Sequence, residues 1–199
     1  VSLMGDVPSG ASNFYVNRMA KGELLVNYEI ELAHYLVDQP QKFSSYHEVG
    51  CGLGVLSMFL ATQGLPAVGI EVDRRRFDAA VEIFTVVAGR YKQVVGKELD
   101  CRLVHGAFPE AMAGEDVSCA VALFTNVSRT ITDAQRANLI AALRRYKCVV
   151  IDVVRFLSSR PAASEQDALI NELVAAGLSN PRPAFEGSSW RFFRFDGQG

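Results

Sequence analysis

Apolar positions along this 199-residue chain follow two alternating patterns. Short runs at about Tyr46–Gly50, Ala67–Glu71, Cys101–His105, Val117–Thr125 and Lys147–Val154 read as strands, and Val117–Thr125, near-continuously apolar, as one buried on both faces. Segments with helical spacing separate them. Val55–Gln63 is an apolar helix closed by Gly64. Arg75–Val94 carries the stripe Phe77, Ala80, Val81, Phe84, Val87, Ala88 and Tyr91. Thr132-Asp-Ala-Gln135 is a capping-box start for a helix through about Arg145. Ser164-Glu-Gln-Asp167 opens another, with Leu169, Ile170, Leu173 and Val174 inward and Gly177 as its stop. A helix over Gly22–Val37 precedes the first strand, with Leu24, Leu25, Tyr28, Leu32, Tyr35 and Leu36 on one face and Pro40 beyond its end. The tail holds two more β segments, Arg182–Glu186 and Trp190–Phe195, joined by Gly187-Ser-Ser189.

Strands alternating with helices predict an α/β fold, with helices on both faces of a mostly parallel sheet. The expected organisation is one domain over 1–199: a mobile arm at 1–21, a helical segment at 22–38 and the Rossmann-like core at 45–199. Within the arm, Asn13-Phe-Tyr-Val-Asn-Arg18 mixes aromatic and polar residues, and either covers a pocket or packs on the body.

The junction of the first strand with its helix holds the candidate chemistry. Glu48-Val-Gly-Cys-Gly-Leu-Gly54 places three glycines, Gly50, Gly52 and Gly54, on alternate positions, with Cys51 between the first two. Bare backbone turns tightly and lets a ligand approach closely, and the helix that follows points free N–H groups at it. A nicotinamide or flavin turn requires G-x-G-x-x-G; here Val55 stands where the last glycine belongs. No Gly-Lys-Ser/Thr follows, so a phosphate loop does not fit. Roughly 20 residues on, Glu71 ends the second strand, where an acid in doubly wound folds accepts both ribose hydroxyls. A carboxylate suits that task because it is acceptor-only. Asp73 is the lesser candidate. Arg74, Arg75 and Arg76 open the next helix, where the dipole disfavours cations. Asp73 and Asp78 beside them make a solvated basic turn the simpler reading, against a site for an anionic partner.

Glu-x-Gly-x-Gly-x-Gly followed by a strand-end acid resembles the class I S-adenosylmethionine-dependent methyltransferases. The resemblance implies a three-layer Rossmann-like methyltransferase fold, with a seven-stranded sheet ordered 3-2-1-4-5-7-6 and the seventh strand antiparallel. It implies S-adenosyl-L-methionine as cofactor and S-adenosyl-L-homocysteine as product. The cofactor residues carried over are Glu48, Gly50, Cys51, Gly52, Gly54, Glu71, Val72, Ala107, Phe108 and Asn126. Where the family's turn after the third strand reads Gly-Asp, this chain has Gly106-Ala107. Adenine is then expected on a backbone N–H and the ring of Phe108, unless that ring belongs to the core. Asn126 follows the fourth strand and is the candidate catalytic residue, its amide able to orient an amine or hydroxyl towards a sulfonium methyl. Gly22-Glu23, the glycine turn, Gly69-Ile-Glu71 and Phe124-Thr-Asn126 are also similar to the non-SET histone-lysine methyltransferases over the cofactor half. The function implied is methyl transfer to an N or O nucleophile of a small-molecule or protein acceptor. The alternatives are a module that binds the cofactor without catalysis and, further off, a nicotinamide-dependent oxidoreductase.

Composition narrows the partners. The net charge of −2 opposes a chain-wide nucleic-acid footprint, and Asn126-Val-Ser-Arg129 lacks the Pro-Pro-aromatic run of nucleic-acid amino-methylating enzymes. No apolar run reaches the ~20 residues that span a bilayer, and no secretory signal is visible, so a cytoplasmic protein is expected. Cys51, Cys101, Cys119 and Cys148 form no C-x-x-C pair and read as reduced, mostly buried thiols. Cys51 reads as a filler of the glycine turn and not as a nucleophile. His34, His47 and His105 share no ligand spacing, so no metal is expected.

Overall fold

The computed structural model describes residues 25–40, 43–125, 133–157, 162–187 and 190–198, with backbone alone at 133–135, 155 and 157. The elements run α1 (Asn27–Val37), β1 (Tyr46–Val49), α2 (Val55–Thr62), β2 (Ala67–Glu71), α3 (Arg74–Val95) and β3 (Cys101–His105). They continue β4 (Val121–Phe124), α4 (Asp133–Leu143), β5 (Cys148–Asp152), α5 (Val153–Leu157), α6 (Ala163–Ala175), β6 (Ser179–Glu186) and β7 (Arg191–Asp196), with a 3-10 turn at Glu110–Met112 before β4. One seven-stranded sheet is ordered β3-β2-β1-β4-β5-β7-β6. The first five strands are parallel to one another, and β7 runs antiparallel to both β5 and β6. This is the fold class and strand order expected from the sequence.

The central strands β1, β2, β4 and β5 are buried at every position, as continuous apolar runs require. Their alternate residues feed two cores. Val49, Ile70, Phe124 and Ile151 pack with Leu139, Leu143, Phe156, Leu169 and Leu173 of α4, α5 and α6. Tyr46, Ala67, Leu123 and Val150 pack with Leu32, Leu36, Leu56 and Leu60 of α1 and α2. Tyr28 and Tyr35 are core aromatics: Tyr28 lies 6.3 Å from Phe192 and Tyr35 5.9 Å from Phe185, between ring centroids.

Several boundaries differ from expectation for local reasons. Residues 117–120, apolar but for Ser118, form a turn and not the start of β4: the Asp116 carboxylate accepts the Ser118 N–H at 3.0 Å, and Ala120 N–H reaches the Val117 carbonyl at 3.0 Å. Cys119 is therefore exposed, and not a buried strand thiol. Val154 leaves the sheet for α5, because Asp152 Oδ1 accepts its N–H at 3.2 Å and caps the helix. Val81 (39% exposed) and Val174 (40%) fall outside their helices' buried faces. α3 covers only the β2–β3 margin of the sheet, and Ala80 is its one fully buried residue among those described. α6 begins at Ala163, with the Glu165 carboxylate accepting the Ala162 N–H at 2.6 Å. β6 extends back to Ser179 through register shifts, and carries Pro181 and Pro183 on one margin of the sheet. On the other margin β3 exposes Arg102 and His105. The capping-box start at Thr132 and the arm at 1–21 lie outside the described residues.

Candidate functional site

At the carboxyl ends of β1, β2 and β3 three loops converge on Glu71. Gly50, Gly52 and Gly54 hold φ of +72°, +56° and +69°, a region side-chain-bearing residues rarely enter. The turn is fixed to the sheet by Gly50 and Cys51 N–H groups donating to the Ile70 carbonyl at 2.8 and 3.0 Å. Glu71 is 3% exposed. Its Oε2 accepts the Gly52 N–H at 2.8 Å and its Oε1 accepts the Asp73 N–H at 2.8 Å. Its carbonyl accepts the Gly106 N–H at 3.0 Å. One residue thus ties the glycine turn, the β2–α3 turn and the loop after β3. A carboxylate has about four lone-pair sites, so both oxygens keep acceptor capacity for ligand hydroxyls.

Asp73 does something else. Its Oδ1 accepts the Arg75 and Arg76 N–H groups at 2.9 and 3.1 Å as the N-cap of α3. These bonds, that from Arg76 foremost, hold its carboxyl below the usual range. Arg74 pairs with Asp78 at 2.9 Å. The cations at the start of α3 are accommodated by these two aspartates. Val72, between Glu71 and Asp73, is 64% exposed and offers an apolar surface beside the carboxylate.

Glu48 sits deeper, 3% exposed on β1. Its Oε2 accepts both the Ser57 N–H at 3.1 Å and the Ser57 hydroxyl at 2.6 Å, so it caps α2 from across the turn. Burial pushes its carboxyl up to about 8, against the lowering effect of Ser57. Cys51 is buried, and desolvation raises its thiol far above the ordinary range. A thiol held protonated is no nucleophile. Two residues here went unassigned from sequence. Ser57 is the one polar residue in the first six positions of α2, a signal that was available. Gly69 lies mid-strand: a Cβ there would stand 2.9 Å from Cys51 Sγ, 2.9 Å from Leu103 Cδ2 and 3.1 Å from Ser57 Oγ. Bare backbone at Gly69 lets α2 and the glycine turn settle onto the sheet.

The loop after β3 exposes Ala107, whose carbonyl accepts the Ala111 N–H at 2.7 Å. Phe108 turns its ring inward, 5.6 Å from Phe124 and 6.1 Å from Tyr146. It is half-buried and packs against the core. Asn126 lies outside the described residues; the preceding Thr125, 3% exposed, directly follows β4. Among the described residues no three His, Cys, Asp or Glu side chains group as a metal site, and no helix is long and apolar enough to cross a membrane.

No family model matches the chain, and no curated protein matches its sequence. Solved structures do match its fold. A TehB-like S-adenosylmethionine-dependent methyltransferase from Corynebacterium glutamicum superposes with a TM-score of 0.64 at 16% identity, covering 94% of this chain and 96% of that one. A putative O-methyltransferase from Nostoc punctiforme gives 0.63 at 12% identity, covering 89% and 58%. Magnesium protoporphyrin IX methyltransferase from Synechocystis, solved with bound S-adenosylmethionine, gives 0.60 at 14% identity over 97% and 86%. With its strand order and parallel core, the chain has the class I S-adenosylmethionine-dependent methyltransferase fold.

Proposed function

We propose that this chain is an S-adenosylmethionine-dependent methyltransferase acting on an N or O nucleophile of a small-molecule or protein acceptor. The observation that carries the reading is the bond between Glu71 and Gly52: a buried acceptor and a bare-glycine turn are fixed 2.8 Å apart at adjacent strand ends. The residues fit the cofactor's parts. Gly50, Gly52 and Gly54 present backbone without side chains, Glu71 keeps acceptor capacity for ribose hydroxyls, and exposed Val72 offers an apolar wall for the base. The cofactor, when bound, supplies an electrophilic methyl group. The chain's own work is then to bind, orient and exclude water, and positioning alone supplies much of such a rate. Asn126, the residue after Thr125 at the β4 end, is the group we assign to orienting the acceptor.

A cofactor-binding module without catalysis is the second reading. It is favoured by Ala107, which puts no carboxylate where the family holds adenine. Calorimetric titration with S-adenosylmethionine and S-adenosylhomocysteine, with NAD as control, tests the cofactor. Micromolar binding of the first two and none of NAD is expected. Gly52→Val should abolish that binding in a folded protein; retained binding would place the site elsewhere. With binding established, Asn126→Ala separates the readings: it should leave cofactor affinity intact and remove transfer to an acceptor found by screening.

A further inference from the structure

At the opposite end of the sheet, among the amino ends of β4 and β5, lies a cleft of about 470 Å³. Its walls are the 115–118 turn, the end of α4 with Arg144 and Arg145, and Gln198 beyond β7. Both guanidinium groups are exposed, and each makes one hydrogen bond to a neutral oxygen. Arg144 donates to Gln198 Oε1 at 3.0 Å, and Gln198 returns its own N–H to the Arg144 carbonyl at 3.0 Å. Arg145 donates to the Glu115 main-chain carbonyl at 2.9 Å. Among the described residues neither arginine forms an ion pair, and the Glu115 carboxylate is instead paired with Arg102 at 3.0 Å. Gly177, at φ +102°, is bare beneath Arg144: a Cβ there would lie 2.8 Å from Arg144 Nε and 3.2 Å from Cζ. The exposed Arg144 guanidinium therefore lies against bare backbone and is tied to Gln198. Guanidinium forks hydrogen-bonded only to neutral oxygens keep donors for an oxyanion, which they can bind bidentately.

We propose that this cleft is a second binding site, separate from the glycine turn, for a small ligand bearing a carboxylate or phosphate group held by Arg144 and Arg145. Asp116 also lines the cleft, within the field of Arg145, so a ligand that also carries an N–H donor fits better than a bare anion. The site does not depend on the methyltransferase reading.

The test uses amide NMR titration of the full chain with inorganic phosphate and, separately, with glycine, each against sodium chloride at matched ionic strength. Saturable shifts at Ser118, Arg144, Arg145 and Gln198 in the millimolar range are expected from both probes and not from chloride. Arg144→Gln and Arg145→Gln should each weaken the response tenfold or more, while Arg74→Gln, with the same charge loss at the other end of the sheet, should leave it within about twofold. Arg145→Gln keeps the test valid if Arg144→Gln disturbs the Gln198 tie. No saturable shift with either probe, an equal response to chloride, or an equal loss in Arg74→Gln would overturn the proposal. Phosphate alone binding assigns the site to phosphate ligands, and glycine alone to carboxylates; either outcome sustains it.

Discussion

Replacing Glu71 should destabilise the protein even with no ligand present. Glu71→Ala removes the acceptor of two N–H groups, each bonded at 2.8 Å. They are not equivalent. Gly52 is buried, and its N–H would be left without a partner, while Asp73 is exposed and its N–H can turn to water. Stranding a buried donor costs about 1–3 kcal/mol, and a hydrogen bond to a charged acceptor contributes about 1.5–3. A loss near 3 kcal/mol follows, and at about 2–4 °C per kcal/mol for a chain of this size the Tm should fall by about 6–12 °C. Glu71→Gln should fall about half as far. Its carbonyl oxygen can keep the Gly52 bond while its NH2 group faces the Asp73 N–H, where water relieves the mismatch. Differential scanning calorimetry of the three proteins without cofactor reads the order wild type, Gln, Ala. A Tm within 2 °C of wild type for Glu71→Ala would refute the view that this side chain holds the loops together.

Other outcomes follow from the same geometry. Gly69→Ala should cost about 1–3 kcal/mol through overpacking against Cys51, Leu103 and Ser57, and pairing it with Cys51→Ala should recover part of that in denaturant melts; unchanged stability of the single variant would contradict the contact. His47 is buried between Ser45 Oγ at 2.6 Å and the Tyr146 hydroxyl at 3.0 Å, and burial lowers it to about 4. Between pH 6.5 and about 4 the unfolded chain takes up a proton that the folded chain refuses, so stability should fall as pH drops through that window, by up to about 3 kcal/mol; His47→Gln should flatten this slope, and an identical slope would exclude His47 as its source. Glu48 acts in the other direction. The folded chain keeps its proton up to about pH 8 while the unfolded chain loses it near 4.5, so stability present below pH 4.5 should decline as pH rises towards 8. Glu48→Gln, which copies the protonated form, should be the more stable protein at pH 8 by urea titration.

What could be read in the sequence was what repeats or is spaced. β2 ends where its apolar run ends, at Glu71, because a strand buried on both faces leaves few polar positions to confuse the boundary; β3 also ends as expected, at His105, although it is a half-exposed outer strand. Val117–Ala120 is apolar but for Ser118 yet forms a turn, with the Ser118 N–H bonded to the Asp116 carboxylate and the Ala120 N–H to the Val117 carbonyl. α5 is five residues long and shorter than any helical period can reveal. In the site, the spacing from the glycine turn located Glu71, but not that it already binds Gly52 and Asp73, since those bonds depend on three loops meeting. Gly69 carried a signal, a glycine inside an apolar strand, whose meaning needs Cys51 and Ser57 placed above it. The pairing of Glu48 with Ser57 links positions nine apart across a turn, and no periodicity encodes it.

The two margins of the sheet differ in how they meet other chains. An outer strand is a template for edge-to-edge association unless something interrupts it. β6 carries Pro181 and Pro183 and a broken register, and proline supplies no N–H to a docking strand. That side is closed by missing donors. β3 is regular in its pairing with β2 and has no proline. What guards it is its five-residue length and the exposed Arg102 and His105. Among the described residues, self-association through the sheet therefore has one open side, guarded by Arg102 and its partner Glu115. Substitutions that remove Arg102 remove part of the guard at β3, whereas β6 stays closed by its prolines.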